Sequence, residues 1–147
     1  MKRILFLVLI LSLGHTTSTY SKDTAGYHIR LKIQGVTDSM VYMAHYYGKA
    51  LPNIYKRDSA RFNKNGEAEF NSNDPDFVGG IYMMLLSDRK TYFEFLINKG
   101  DNFSITAEMK KLPDGVKYKN SPENERFQQY VAFLKGYGEK QQAFQKE

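Results

Sequence analysis

Apolar and polar residues alternate along much of this chain, with the two-residue period of strands that bury one face. In residues 28–34, Ile29, Leu31 and Ile33 alternate with charged or polar residues. The same alternation recurs in residues 102–109, so both segments are predicted to be strands with one side facing water.

Other short apolar or aromatic runs are also predicted to be strands: 40–47, 54–62, 67–70, 81–86, 91–98 and a short edge strand at 116–119. Residues 40–47 are apolar on both faces, as expected of a central or doubly covered strand. The short spacers after 54–62, 81–86 and 91–98 favour antiparallel hairpins, because a parallel crossover takes a dozen or more residues. Seven or eight such strands predict an antiparallel β-sandwich or a partly open barrel over residues 27–119.

The pattern changes at Ser121-Pro122-Glu123, where the residue types favour a helix start. Residues 121–147 are therefore predicted to form a C-terminal helix. Five residues at helical spacing form one side, called the apolar stripe below: Phe127, Tyr130, Val131, Leu134 and Tyr137. The last nine residues contain no Gly or Pro stop signal. The expectation is a helix that leads toward a following domain or a partner, with the apolar stripe only partly covered.

The N-terminus has the order of a secretory signal peptide, with Lys2 and Arg3 before an apolar run and small polar residues after it. Residues 1–21 are predicted to be this signal, cleaved near Ser18 or Ser21. The apolar run is about half of the roughly 20 residues that a permanent membrane span needs. Because the chain contains no cysteine, an N-terminal lipid anchor is excluded. We expect an exported protein of the periplasm or cell surface, not a lipoprotein.

Composition narrows the function classes. The chain has 147 residues and a formal net charge of +5, of which Lys2 and Arg3 supply two. The remaining basic residues are scattered, which argues against nucleic acid as a partner. Without cysteine, the chain cannot itself carry out thiol redox chemistry or bind a metal through thiolates. No cofactor is predicted.

Two pairs of polar residues invite a catalytic interpretation. Glu67 and Glu69 share a strand face about 7 Å apart, a separation that suggests a glycosidase pair, although alternation also explains them as the wet side of a strand. His28 and His45 lack a G-x-S-x-G motif nearby, so ordinary strand residues are favoured over a nucleophilic mechanism.

Soft and hard metal ligands also occur, and structural roles are favoured for both. A copper site would draw on Met40, Met43, His45, Met83 and Met84. Core packing explains methionines equally well. A calcium loop would draw on Asn71, Asn73, Asp74 and Asp76. That segment lacks the Gly and Glu of an EF-hand, so a turn is favoured.

Tyrosines are abundant, and a set of them is a candidate platform for a glycan or another small ligand: Tyr42, Tyr46, Tyr47, Tyr55, Tyr82 and Tyr92. Strand propensity predicts the same residues. This binding hypothesis requires several of the rings to be exposed together on one face.

Seven short segments, in this order, resemble the uncharacterised N-terminal β domain of exported bacterial thiol-disulfide oxidoreductases of the TlpA/ResA and AhpC/TSA type. They are Ile33-Gln34-Gly35, Val41-Tyr42-Met43, Asp58-Ser59-Ala60, Gly66-Glu67-Ala68-Glu69-Phe70, Gly80-Ile81-Tyr82, Phe95-Leu96-Ile97-Asn98-Lys99-Gly100-Asp101 and Ser121-Pro122-Glu123-Asn124. In such proteins the redox Cys-x-x-Cys lies in a thioredoxin-like domain after the helix.

The resemblance implies a non-catalytic accessory domain whose partner is a following thioredoxin-like domain or another exported protein. It carries over no functional residue, because that family's chemistry resides in a part that this sequence does not include. Small-ligand binding and hydrolysis by the glutamates remain the alternatives, and the sequence leaves the oligomeric state open.

Overall fold

The computed structural model describes residues 26–47 and 53–144, so the predicted signal peptide lies outside the described residues. A short 3-10 turn at Met109–Lys111 precedes the last strand. The strands and the helix are β1 (Tyr27–Gln34), β2 (Met40–Tyr47), β3 (Asn53–Arg61), β4 (Glu67–Ser72), β5 (Gly80–Leu86), β6 (Tyr92–Ile97), β7 (Asp101–Glu108), β8 (Lys117–Lys119) and α1 (Pro122–Phe144).

The eight strands form two four-stranded sheets. The first sheet has the order β4-β1-β7-β8 and the second has the order β3-β2-β5-β6. The predicted sandwich of seven or eight strands with one C-terminal helix is confirmed, and β2 is a central strand as its sequence indicates. The short β8 lies at an edge, also as predicted.

The connections differ from the prediction at two places. The turn at residues 63–66 does not form a hairpin, because β3 pairs with β2 whereas β4 pairs with β1 of the first sheet. The turn after β6 likewise leads into the first sheet, where β7 runs parallel to β1. A short loop reverses the chain equally well within one sheet or between two facing sheets, so loop length did not distinguish the cases. The β5–β6 hairpin is confirmed.

The core lies between the two sheets and is built from one face of every strand. The alternation in β1 places Ile29, Leu31 and Ile33 at 0 to 1% exposure. Aromatic rings supply much of the volume, and the Phe95 and Phe103 rings from opposite sheets lie 6.3 Å apart in an edge-to-face arrangement. With no disulfide possible, this apolar packing is the main source of stability.

Residues 73–79 close one side of the sandwich. The ring of Phe77 is 5% exposed and lies 4.8 Å from the ring of Tyr27 and 5.6 Å from that of Tyr82. The guanidinium of Arg57 sits 5.6 Å from the centre of the Phe77 ring and pairs with Asp74. This loop therefore acts as a plug that an ion pair and a cation–π contact hold in place.

The first turn of α1 packs against the edge of the second sheet. Asn124 is 1% exposed and bonds to the backbone of Leu96 on β6, the edge strand of the second sheet. β8 is the edge strand of the first sheet, and the hydroxyl of its Tyr118 lies 3.4 Å from the carbonyl oxygen of Glu94 on β6. The helix is thus attached where the two sheets meet.

Candidate functional site

The two outer faces of the sandwich differ in chemistry. Outward positions of the first sheet are polar or charged, and its strands place His28, Arg30 and Lys32 opposite Asn71, Glu69 and Glu67. Arg30 donates hydrogen bonds to Ser104 and Asn102 of β7 at 3.1 Å each. This face is exposed to solvent, and polar pairs between neighbouring strands stabilise it.

Glu67 and Glu69 lie on this polar face and are engaged there. One oxygen of Glu67 accepts a hydrogen bond from Lys32 at 2.9 Å, and the other accepts one from Asn63 at 3.0 Å. The Asn63 amide and the Lys32 ammonium hold the pKa of Glu67 below its ordinary value. A general acid needs a raised pKa, so the geometry does not favour a glycosidase pair. Glu69 contacts the ring of His28.

The other sequence-predicted sites are also dispersed. His28 lies on the first sheet and His45 on the second, where its Nδ1 lies 3.2 Å from the carbonyl oxygen of Tyr46. Met43 and Met84 are buried in the core, whereas Met83 points to the opposite side of the same sheet. The copper ligand set is therefore split by the sheet.

The proposed calcium loop is occupied by its own turn contacts. The Asp74 Oδ1 accepts the backbone N–H of Asp76 at 2.9 Å, and its Oδ2 contacts Arg57. These contacts lower the pKa of Asp74, the Asp76 N–H more than Arg57. Within residues 26–47 and 53–144, no group of three or more His, Asp or Glu side chains is arranged to bind one metal ion.

The outer face of the second sheet carries several exposed apolar and aromatic side chains among charged ones such as Lys56 and Glu94. Tyr46, Ile54, Ile81 and Tyr92 are all 40 to 53% exposed there. Burial and the neighbouring Tyr92 raise the pKa of Tyr46. This contrast with the first sheet means that one side of the sandwich offers a surface suited to apolar contacts.

The six tyrosines of the predicted platform do not share one surface. Tyr42, Tyr46 and Tyr92 lie on the outer face of the second sheet, and Tyr82 is buried in the core. Tyr55 pairs with His45, whose ring lies 5.2 Å from Tyr82, on the core side of the sheet. The side chain of Tyr47 lies outside the described residues.

This face contains a groove that the sequence did not predict. It has a volume of about 510 Å³ and is called the outer groove below, with Tyr42, Ala44, Ile54, Lys56, Leu85 and Arg89 as its lining. These residues come from three strands and a turn, so no local pattern marks them as a set. The available signal was the exposed start of β3, where Ile54 and Lys56 share one face of the strand.

The apolar stripe of α1 is largely exposed. Phe127 is half-buried, but Tyr130, Val131, Leu134 and Tyr137 are 43 to 57% exposed. Phe133, which the stripe does not include, is 67% exposed. The helix is held at its start by Asn124 and further along by the ion pair between Lys135 and Asp114, at 2.9 Å. No helix within the described ranges is both long enough and apolar enough to cross a membrane.

Comparison with protein-family models identifies the family of this chain. The sequence profile of DUF4369, described as a domain of unknown function, matches residues 27–127. This chain belongs to the DUF4369 family. The match covers more than half of the chain, from the first residue of β1 to the second turn of α1.

No curated protein and no solved structure matches this DUF4369 chain in the same comparisons. The family description establishes membership and no activity. The matched range includes the anchoring Asn124 and ends at Phe127, so the other four residues of the apolar stripe lie beyond it.

Proposed function

We propose that this DUF4369 domain is a non-catalytic interaction domain, exported to the periplasm or cell surface, that docks against a thioredoxin-like domain. The observation that carries the proposal is the exposed apolar stripe of α1. The thioredoxin-like identity of the partner is supported by the resemblance of seven segments to the N-terminal domain of exported thiol-disulfide oxidoreductases.

The helix is anchored in a way that leaves its apolar stripe available. Asn124 and Lys135 are eleven residues apart, which is close to three full turns, so both point toward the sandwich. Tyr130 and Tyr137 point elsewhere, and they are 57% and 55% exposed. The sandwich therefore contacts the side of the helix that carries Asn124 and Lys135, where Phe127 is half-buried, and leaves Tyr130 and Tyr137 open to another surface.

Helix energetics also favour a partner. Most of the stability of a helix in a protein comes from packing an apolar face, not from intrinsic propensity. The 23-residue α1 contains Gly136 and Gly138, each of which weakens a helix by roughly 0.5–1 kcal/mol relative to Ala. Exposed tyrosine and phenylalanine are the residue types enriched at protein interfaces. A docked domain would cover them and stabilise the second half of α1.

In this proposal, any thiol-disulfide chemistry belongs to the partner. Thiol-disulfide exchange requires a thiolate, and none of the 147 residues supplies one. In this proposal the DUF4369 domain positions or presents a thioredoxin-like domain, which carries the reactive cysteines.

Site-specific photo-crosslinking in the native cell tests the proposal. A photoreactive phenylalanine analogue replaces Leu134 in the apolar stripe. The matched control replaces Ala132, which is exposed on nearly the opposite side of the same helix. We expect the Leu134 position, and not the Ala132 position, to crosslink to a domain that contains Cys-x-x-Cys, identified by mass spectrometry.

Three outcomes would contradict the proposal. They are equal crosslinking from the two positions, crosslinking of Leu134 to a second copy of this chain alone, and no crosslinked product. A Leu134→Glu variant adds an independent readout: it should lose the complex in size-exclusion chromatography while keeping the circular dichroism spectrum of the sandwich.

A further inference from the structure

We propose that the outer groove binds an amphipathic carboxylate, an acyl chain that ends in a negatively charged group. This site lies on the second sheet and is separate from the apolar stripe of α1. The inference goes beyond the proposed function, and neither depends on the other.

The shape and lining of the outer groove suit an apolar chain. Its volume of about 510 Å³ is within the range of roughly 300–1,000 Å³ typical of small-molecule sites. Leu85 is half-buried and Ile54 is 53% exposed, so both present apolar surface to the groove, whereas Ala44 lies buried in its floor at 1% exposure. Covering such exposed apolar surface with a ligand is favourable because it removes that surface from water.

Two cations border the outer groove and give it a charge preference. Lys56 and Arg89 both line it and both are exposed. Neither side chain forms an ion pair with the described part of the chain, in contrast to Lys32, Arg57 and Lys135. An anionic ligand head would supply the missing counter-charge, whereas a cationic head would be repelled.

The backbone of Arg89 is held in an uncommon conformation next to the groove. Its φ of 56° lies in the left-handed region, which is unfavourable for a residue that carries a Cβ. The N–H of Arg89 donates to the carbonyl oxygen of Leu86 at 3.0 Å and so fixes the turn. A ligand-binding role for the Arg89 side chain would explain why an arginine occupies a position that suits glycine.

The floor of the groove favours an acyl chain over a peptide. Tyr42 and Ala44 belong to β2, which pairs with β3 on one side and with β5 on the other. The backbone groups of the floor are therefore already used in the sheet, and they offer no partners to the amides of a peptide. An acyl chain has no such groups to satisfy.

Calorimetric titration of the purified protein with sodium decanoate tests this site. Decyltrimethylammonium has the same tail with the opposite charge, and acetate has the same head without the tail. We expect decanoate to bind saturably and the two comparison compounds not to bind. In methyl NMR spectra, decanoate should shift the signals of Ala44, Ile54 and Leu85.

Matched variants assign the charge preference. Lys56→Glu should weaken decanoate binding more than about two- to fivefold, the usual range for losing one exposed ion pair, because it also adds repulsion. Arg89→Gly should weaken binding by about that range and leave thermal stability equal or higher, because glycine suits a φ of 56°. Lys117→Glu on the opposite sheet makes the same charge change away from the groove and should not alter binding.

Several results would overturn the inference. They are equal binding of decanoate and decyltrimethylammonium, methyl shifts confined to the apolar stripe, unchanged affinity in both groove variants, and saturable binding of an acidic peptide with no binding of decanoate. Failure of this test would leave the crosslinking result at Leu134 unaffected, because the two surfaces lie on different elements.

Discussion

Asn124 of α1 forms two hydrogen bonds to the backbone of Leu96, in the manner of an added strand at the edge of β6. Its Oδ1 accepts from the Leu96 N–H at 2.6 Å, and its Nδ2 donates to the Leu96 carbonyl oxygen at 2.7 Å. The same Nδ2 donates to the hydroxyl of Ser121 at 2.9 Å. One buried amide therefore caps an exposed sheet edge and fixes the start of the helix.

Replacing Asn124 should be costly. Asn124→Ala leaves the N–H and C=O of Leu96 without these partners, and we expect a loss of roughly 2–6 kcal/mol of unfolding free energy, from about 1–3 kcal/mol for each of the two unsatisfied groups. Urea denaturation followed by circular dichroism measures it. The neighbouring exposed residue offers a control, since Glu125→Ala should change stability little. A loss below about 1 kcal/mol for Asn124→Ala would show that water replaces the amide.

Phe77 should be the main stabilising residue of the loop at residues 73–79. Phe77→Ala removes a 5% exposed ring that contacts Tyr27 and Tyr82, and such a change typically costs about 3–5 kcal/mol. The adjacent Val78 is 74% exposed, so Val78→Ala is the matched control and should have almost no effect. Thermal unfolding of the two variants checks the difference. Equal melting temperatures would mean that the loop does not plug the sandwich.

Two glycines should respond to alanine in opposite directions. Gly66 has φ +71°, and an added Cβ would lie 2.4 Å from the carbonyl oxygen of Ile33. Gly66→Ala is therefore expected to destabilise the fold by roughly 1–3 kcal/mol or more. Gly136 lies inside α1, and an added Cβ would meet no atom within 4 Å. Gly136→Ala should increase helicity and stability by up to about 1 kcal/mol. Circular dichroism at 222 nm and urea unfolding distinguish these results from a uniform effect.

The carboxylate of Asp74 should make stability depend on acid pH. Folding lowers the pKa of Asp74 from its ordinary 3.8, mainly through the Asp76 N–H and then through Arg57. A carboxyl with a lowered folded pKa stabilises the fold above its unfolded pKa, and this contribution is lost as the pH falls through the folded value. Asp74→Asn should therefore lower stability at pH 7 and reduce the difference between pH 7 and an acid pH below about 3.

Urea midpoints at the two pH values measure that difference. Asp76→Asn is the control because it removes a nearby carboxylate but keeps the backbone N–H that Asp74 accepts. Wild type and Asp74→Asn with equal pH dependence would show that the contacts of Asp74 do not contribute to stability.

The sequence by itself determined the local elements of this protein. The alternation in β1 identified Ile29, Leu31 and Ile33 as core residues, because a strand with one wet face can bury only every second side chain. The Ser121-Pro122-Glu123 signal placed the start of α1, and apolar content on both faces identified β2 as central. The same spacing rule identified the apolar stripe, whose exposure agrees with the expectation that the sandwich covers it only in part.

The tertiary structure alone decided which strands share a sheet and which surface residues meet. The parallel pairing of β1 with β7 brings Leu31 next to Ile105, and no local pattern records a contact over that separation. Short turns after β3 and β6 join facing sheets, although turns of the same length also form hairpins. The outer groove likewise exists only when β2, β3, β5 and the Arg89 turn come together. Periodicity reports which side of an element is apolar, whereas the choice of partner depends on how all the apolar sides can be buried at once.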